Sequence, residues 1–202
     1  MYVNHVDGAN AIKEDMMKIQ CGQFEKVKIE QFERAVVEAG HDIDRMDIQD
    51  VYRHIKLPQR ATAGSAGYDF YLPFDIRLAA GEGVIVPTGV CVKMEEGWFL
   101  ACYPRSGLGM KYRLQLDNTV GVIDSDYYGS DNGGQICAKL TNDSKEGKTL
   151  ELQEGDRFMQ GVFCLHGLTY EDKVRRVRNG GMGSTDYKDL QKLLVCDIMK
   201  DK

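Results

Sequence analysis

Five short segments hold the residues whose types and spacing could do chemistry: GSAGYDF (64–70), PRSGLG (104–109), DNTVGVIDSDYYG (117–129), GDRFMQG (155–161) and VRNGGMGSTD (177–186). PRSG opens on a proline that fixes φ and closes on Gly107, which admits a tight turn. Backbone N–H groups, the Ser106 hydroxyl and the Arg105 guanidinium could converge there on phosphate oxygens. A solvent-exposed β-turn with a surface arginine fits the same residues, and no helix N-terminus, the feature that strengthens other phosphate loops, is expected behind it. In the third segment, alternation predicts a hairpin anchored by Val120, Val122 and Ile123, with Asn118, Asp124, Asp126 and Tyr127 on its rim. Composition alone fits a hairpin with acidic turn residues and no chemistry. Asp69 falls at a strand end, and Asp156 and Arg157 are expected to support their strand through hydrogen bonds. The last segment is too glycine-rich to pack, and reads either as an arm that closes over a ligand or as a plain linker.

The elements that must position these residues are mostly strands. From about Val51 onward the apolar pattern has a period near two, in short runs broken by glycine. GVIVPTGVCVKM (83–94), GWFLACYP (97–104), GGQICAKLTN (133–142) and DRFMQGVFCL (156–165) are the clearest. Strands at this spacing without intervening helices predict an all-β sandwich or barrel. Pro58, Pro73, Pro87 and Pro104 fall at the ends of runs, where a missing N–H is tolerated. KIEQFERAVVEAG (28–40) instead puts Ile29, Phe32, Val36 and Ala39 on one face and Gly40 at the end, which predicts a helix. Residues 1–20 carry a weak helical pattern around Ala11 to Ile19 and read as a surface appendage. DYKDLQKLLVCDIMKDK (186–202) could form a short helix through Leu190, Leu193, Leu194 and Ile198. The chain thus divides into a partly helical N-terminal extension (1–50), a β-barrel (51–175), and an arm with a tail (176–202).

At 202 residues and 43% hydrophobic composition the chain can bury a core. Its 31 acidic and 26 basic residues are spread along the chain for a net charge of −5, with no basic stripe to attract nucleic acid or an anionic membrane. No apolar run reaches the roughly 18 to 20 residues of a membrane-spanning helix, and the N-terminus lacks the apolar stretch of a signal peptide, so a cytoplasmic location is expected. The six cysteines show no CxxC pair and read as reduced core thiols. The four histidines share no ligand spacing with them, which disfavours zinc.

Taken together, the five segments resemble the five signature motifs of the trimeric dUTPase family, in that family's order and near its spacing, over about two thirds of the chain. The resemblance implies a jelly-roll-like β-barrel assembled as a homotrimer with shared active sites, hydrolysing dUTP to dUMP and pyrophosphate. It assigns Arg105, Ser106 and Gly107 to the phosphate chain, Asn118 and the backbone around it to the uracil edge, Tyr127 to the deoxyribose, and Gln160 to the α-phosphate. Asp124 would activate the attacking water. Asp69 would touch, through water, a Mg2+ ion chelated by the triphosphate, a metal that keeps most of its waters and needs few protein carboxylates. Arg178, Gly183, Ser184 and Thr185 would meet the terminal phosphates, with Arg176 as a rival to Arg178 because one residue is missing before the double glycine. Met182 stands where the family usually has a phenylalanine on uracil, and it offers apolar cover without a flat ring. Two further departures are the seventeen residues after Thr185 and a longer loop, YYGSDNGGQIC, after the third motif. The family's fold is shared by dCTP deaminases, and a nucleotide-binding regulatory protein with weakened catalysis is the other alternative.

Overall fold

A computed structural model of the chain describes residues 19–42, 47–175, 178 and 180. The weak helical pattern before Ile19, the C-terminal helix, Arg176, and Met182, Gly183, Ser184 and Thr185 lie outside the described residues. The elements run β1 (Gly22–Lys26), α1 (Ile29–Glu38), α2 (Ile48–His54), β2 (Gln59–Arg60), β3 (Tyr68–Tyr71), β4 (Ile76–Leu78), β5 (Gly83–Pro87), β6 (Val90–Met94) and β7 (Trp98–Pro104). They continue with α3 (Ser106–Tyr112), β8 (Leu114–Leu116), β9 (Gly121–Asp124), a 3-10 turn (Ser125–Gly129), β10 (Cys137–Asn142), β11 (Leu150–Leu152) and β12 (Arg157–Leu165).

Every strand pairing among the described residues is antiparallel. The largest sheet has the order β2-β3-β12-β7-β9 and faces a three-stranded sheet β5-β10-β8, with β1-β6 and β11-β4 as two-stranded pairs. Inward residues of these sheets, among them Phe70, Leu100, Ile123, Leu140, Leu150 and Phe158, form one core. This is an all-β architecture, as the alternating runs predict, of the jelly-roll-like form that the resemblance implies. All four of the clearest runs are strands, and the prolines sit at or beyond their ends.

The segment before residue 51 is built into the same core. Strand β1 pairs with β6 from Gly22↔Met94 to Lys26↔Val90, and Phe24 packs its ring against Tyr68, Phe70 and Phe163 at 5.3 to 5.6 Å. Helix α1 buries Phe32 and Val36 completely, the two central residues of its apolar face. It ends as expected, with Gly40 at φ 79°. The Gly40 and His41 N–H groups donate to Val37 and Val36, satisfying carbonyls the helix leaves open. His41 then donates from Nε2 to the Ile85 carbonyl at 2.7 Å and lays its ring 4.5 Å from Phe74, which ties the helix end to β5.

Two local expectations fail. Residues 48–54 form helix α2 where a strand-like period was read from Val51. Asp47 caps it by accepting the Asp50 N–H at 2.9 Å, a local signal stronger than the short alternation. The third motif is not a paired hairpin either. Strand β8 pairs with β10 and β9 pairs with β7, so residues 117–120 turn a corner between two sheets, with Ile123 buried and Val122 56% exposed.

Because Phe32 fills space shared by α1, α2 and the barrel, Phe32→Ala should lower stability by about 3–5 kcal/mol. Urea unfolding of the full chain followed by circular dichroism measures it.

Candidate active site

Asp69, near the middle of β3, is the most buried carboxylate of the segments singled out above, at 6% exposure. Its Oδ1 lies 3.1 Å from Arg105 Nε and its Oδ2 accepts from Arg157 Nη1 at 3.1 Å. Two guanidiniums are therefore held by one carboxylate, and Arg105 is fixed at the start of α3. Gln160 of β12 is the register partner of Asp69 on one side and of Tyr103 on the other, which places it beside Asp69 in the sheet. Gly67 leaves room for it: a Cβ there would stand 2.4 Å from the Gln160 side-chain oxygen. Asp156 caps the preceding turn by accepting the Gln153 N–H at 2.9 Å, the supporting role expected of it.

The PRSG segment corrects the sequence reading. Arg105, extended at φ −68° and ψ 137°, is the N-cap of helix α3, and its carbonyl accepts from Leu108 and Gly109 at 3.1 and 2.9 Å. A helix start does follow this loop, and Gly107 lies inside it rather than in a tight turn. The first N–H groups of a helix have no acceptor within it, so Ser106 and Gly107 offer backbone donors beside Arg105. With nothing within 4 Å of where its Cβ would be, Gly107 leaves that approach open.

The corner at 117–120 is sharply bent. Thr119 has φ 67°, an uncommon region for a β-branched residue, and Val120 N–H donates to the Asn118 carbonyl at 2.7 Å. Asn118 stands exposed on this turn, at the mouth of a small solvent-open depression whose lining includes Cys102, Leu116, Gly121, Ile136 and Met159. Burial pushes the thiols of Cys102 and Cys137, which also line it, up to about 12, so neither supplies a thiolate near neutral pH.

Beyond the corner, Asp124 ends β9 and Tyr127 sits in the 3-10 turn, 2% exposed. The Tyr127 hydroxyl donates to the Gln135 carbonyl at 2.8 Å. Arg178 reaches this place, with its Nη2 on Asp124 Oδ2, its Nε donating to Asp126 Oδ1 at 3.0 Å, and its guanidinium carbon 5.7 Å from the Tyr127 ring centre. Thus Arg178 meets the acidic end of the third motif, and not Arg105 or Ser106.

One chain forms two groups. Asp69, Gln160, Arg105, Ser106 and Gly107 gather at the Pro104 end of β7. Asp124, Tyr127 and Arg178 gather at its other end, since Asp124 pairs with Phe99. Six residues of extended strand separate Phe99 from Arg105, about 20 Å at 3.3 Å per residue. Sequence reasoning missed the role of Arg157 as second partner of Asp69, and it missed Gln135, a polar residue opening the apolar run QICAKL. Among the described residues no three His, Cys, Asp or Glu side chains come together as a metal site.

The sequence model of the dUTPase family matches residues 53–186. The chain is 40% identical over 134 residues to the deoxyuridine 5'-triphosphate nucleotidohydrolase of Lactococcus lactis subsp. lactis strain IL1403, covering 65% of this chain and 88% of that one. It is 35% identical over 139 residues to the enzyme of the same name from Finegoldia magna, covering 65% and 92%. Among solved structures, the dUTPase from Streptococcus mutans superposes with a TM-score of 0.54 at 35% identity, covering 72% of this chain and 97% of that one. A mutant dUTPase from phage phi11 of S. aureus, whose structure details the coordination of a structural Mg(II) ion, shares the fold at TM-score 0.54 and 18% identity, covering 78% and 98%.

Replacing Asp69 by asparagine removes the charge that both guanidiniums share. Since the arginines are partly exposed, Asp69→Asn should cost about 1–3 kcal/mol of stability, read from the midpoint of urea unfolding.

Proposed function

The chain belongs to the dUTPase family, and from that premise we propose that it hydrolyses dUTP to dUMP and pyrophosphate in the cytoplasm, as a homotrimer whose sites are shared between chains. The observation that carries this reading is the Asp69–Arg105 pair at the start of α3, which presents a guanidinium, the Ser106 hydroxyl and free backbone donors to phosphate oxygens. The separation of about 20 Å between Arg105 and Asp124 along β7 supports a shared site, since one chain leaves the phosphate donors and the acidic end of the third motif apart.

In this reading the uracil lies at the corner, where Asn118 and the bent backbone offer fixed donors and acceptors over the depression. Tyr127 backs the deoxyribose and excludes a 2′-hydroxyl. A water held by Asp124 attacks the α-phosphorus in line with the bridging oxygen to the β-phosphorus. That P–O bond breaks, pyrophosphate departs, and Asp124 takes the water's proton. Arg105, Ser106, Gly107 and Gln160 stabilise the charge that develops on the phosphates. Arg178 and the following Met182, Gly183, Ser184 and Thr185 close over the nucleotide.

Asp69 fits magnesium only at second hand. Each of its oxygens already accepts from an arginine, and the lone pairs that remain suit a donor water of a hydrated magnesium ion. Magnesium bound to the triphosphate would supply neutralisation of phosphate charge and meet Asp69 through its hydration shell.

Pyrophosphate release measured across dUTP, dTTP, dCTP and UTP, with and without magnesium, tests the whole reading. The expected result is turnover of dUTP with discrimination against dCTP of about 10⁴ or more, because cytosine reverses the donor and acceptor pattern and leaves buried groups unpaired. Comparable turnover of dCTP removes the uracil-reading role of Asn118, and conversion of dCTP to dUTP would make the chain a deaminase. Asp124→Asn should preserve the fold and lower kcat by about 100-fold or more, since an amide cannot take the proton. Near wild-type turnover of that variant would move the base to another residue, with Asp126 the first to examine.

A further inference from the structure

The loop that lengthens the third motif does a specific job at Tyr127. Gln135 closes it and is fully buried, yet both ends of its side-chain amide are used. Its Oε1 accepts the Gly89 N–H at 3.1 Å and its Nε2 donates to the carbonyl of Gln31, in helix α1, at 3.1 Å. Its backbone carbonyl accepts the Tyr127 hydroxyl at 2.8 Å, and Asn132 Nδ2 donates to that same hydroxyl at 2.8 Å. The phenol oxygen is therefore held by one acceptor and one donor, both supplied by the loop. The loop is in turn clamped to the N-terminal segment. Gly133, at φ 70°, packs so close to Gln31 that a Cβ would stand 2.2 Å from its side-chain oxygen, and the Tyr128 hydroxyl donates to Glu25 of β1 at 2.8 Å.

We propose that Gln135, with Asn132, is a positioning residue for sugar selection: it fixes the Tyr127 ring by tying its hydroxyl to helix α1, so that the N-terminal segment helps to reject ribonucleotides. The proposal rests on the reading that Tyr127 backs the deoxyribose. A ring that must exclude a single hydroxyl group tolerates little movement. Displacement of a positioning contact by about 1 Å can cost up to about 100-fold in rate. A phenol anchored at its oxygen and packed along its edge loses the tilting freedom that would admit a 2′-hydroxyl. Buried amides hold such geometry well, because each alternative position leaves a polar group unpaired.

The test compares kcat and KM for dUTP and UTP in the full-length wild type, Gln135→Met, Asn132→Asp, Tyr127→Ala and Leu150→Ala, with the melting temperature of each. Gln135→Met keeps volume and removes both amide bonds. Asn132→Asp keeps the acceptor for the Gly134 N–H and loses the donor to Tyr127, so it reports on the loop even if the buried substitution prevents folding. Leu150→Ala opens the core on the separate β4–β11 pair and controls for lost stability alone. Expected is a fall of about tenfold in the ratio of kcat/KM for dUTP over UTP in Gln135→Met and Asn132→Asp, carried by a lower KM for UTP more than by any loss with dUTP, with Leu150→Ala keeping the wild-type ratio. A wild-type ratio in both loop variants, while Tyr127→Ala relaxes it, overturns the role of Gln135 and leaves the sugar contact standing. An unchanged ratio in Tyr127→Ala overturns the sugar contact itself, and the role of Gln135 with it.

Discussion

Strand β7 is the ruler of this molecule. It pairs residue for residue with β12 from Trp98↔Leu165 to Pro104↔Met159, and on its other edge with β9 from Phe99↔Asp124 to Cys102↔Gly121. Leu100, Ala101 and Cys102 are buried in succession, so both faces of its centre are covered. Gly161 opposite Cys102 lets the strands close up, since a Cβ there would lie 3.0 Å from Leu100. A slip of one residue would turn every one of these side chains to the wrong face, which makes the register costly to change. The positions of Arg105 beyond one end and Asp124 beside the other follow from that register. Core packing thereby fixes the distance between Arg105 at one end and Asp124 at the other.

The same ion-pair chemistry appears at the two ends of this ruler in different settings. At Asp69 the carboxylate is buried and each oxygen has its own guanidinium, so the pairing is satisfied within the folded chain and aligns Arg105. A preformed donor of this kind needs no rearrangement when charge arrives, which is where electrostatic stabilisation of a transition state comes from. At Asp124 the carboxylate is half exposed and shares its arginine with Asp126. Exposed pairs contribute little, about 0–1 kcal/mol, because water screens them and holding long side chains costs entropy. The first pair belongs to the scaffold; in the second only the carboxylates face water, since the Arg178 side chain is 21% exposed.

The strands were legible because alternation and punctuation act locally: the runs 83–94, 97–104, 133–142 and 156–165 each carry their own pattern and all form strands. Helix α1 was legible for the same reason, with Phe32 and Val36 on its face and Gly40 at its end. What the pattern could not give was pairing. From residues 117–124 a hairpin and a corner between two sheets look alike, because the choice depends on β10 and β7, which are distant in sequence. The helix after Arg105 was hidden by two glycines in seven residues, Gly107 and Gly109, both poor helix formers. Among the site residues, the types at Asp69 and Arg105 were visible, but that they pair with each other and with Arg157 was not. Gln135 left only the faint signal of an amide at the head of an apolar run, and its partners lie 46 and 104 residues away.

Arg178 joins these lines of argument. Its guanidinium occupies the carboxylate read as the general base and stands over the ring read as the floor of the sugar site. Any nucleotide that brings its sugar to Tyr127 and a water to Asp124 must therefore displace Arg178 from both. That displacement gives up both ion pairs and the ring contact, and phosphates would offer the freed guanidinium a more highly charged partner.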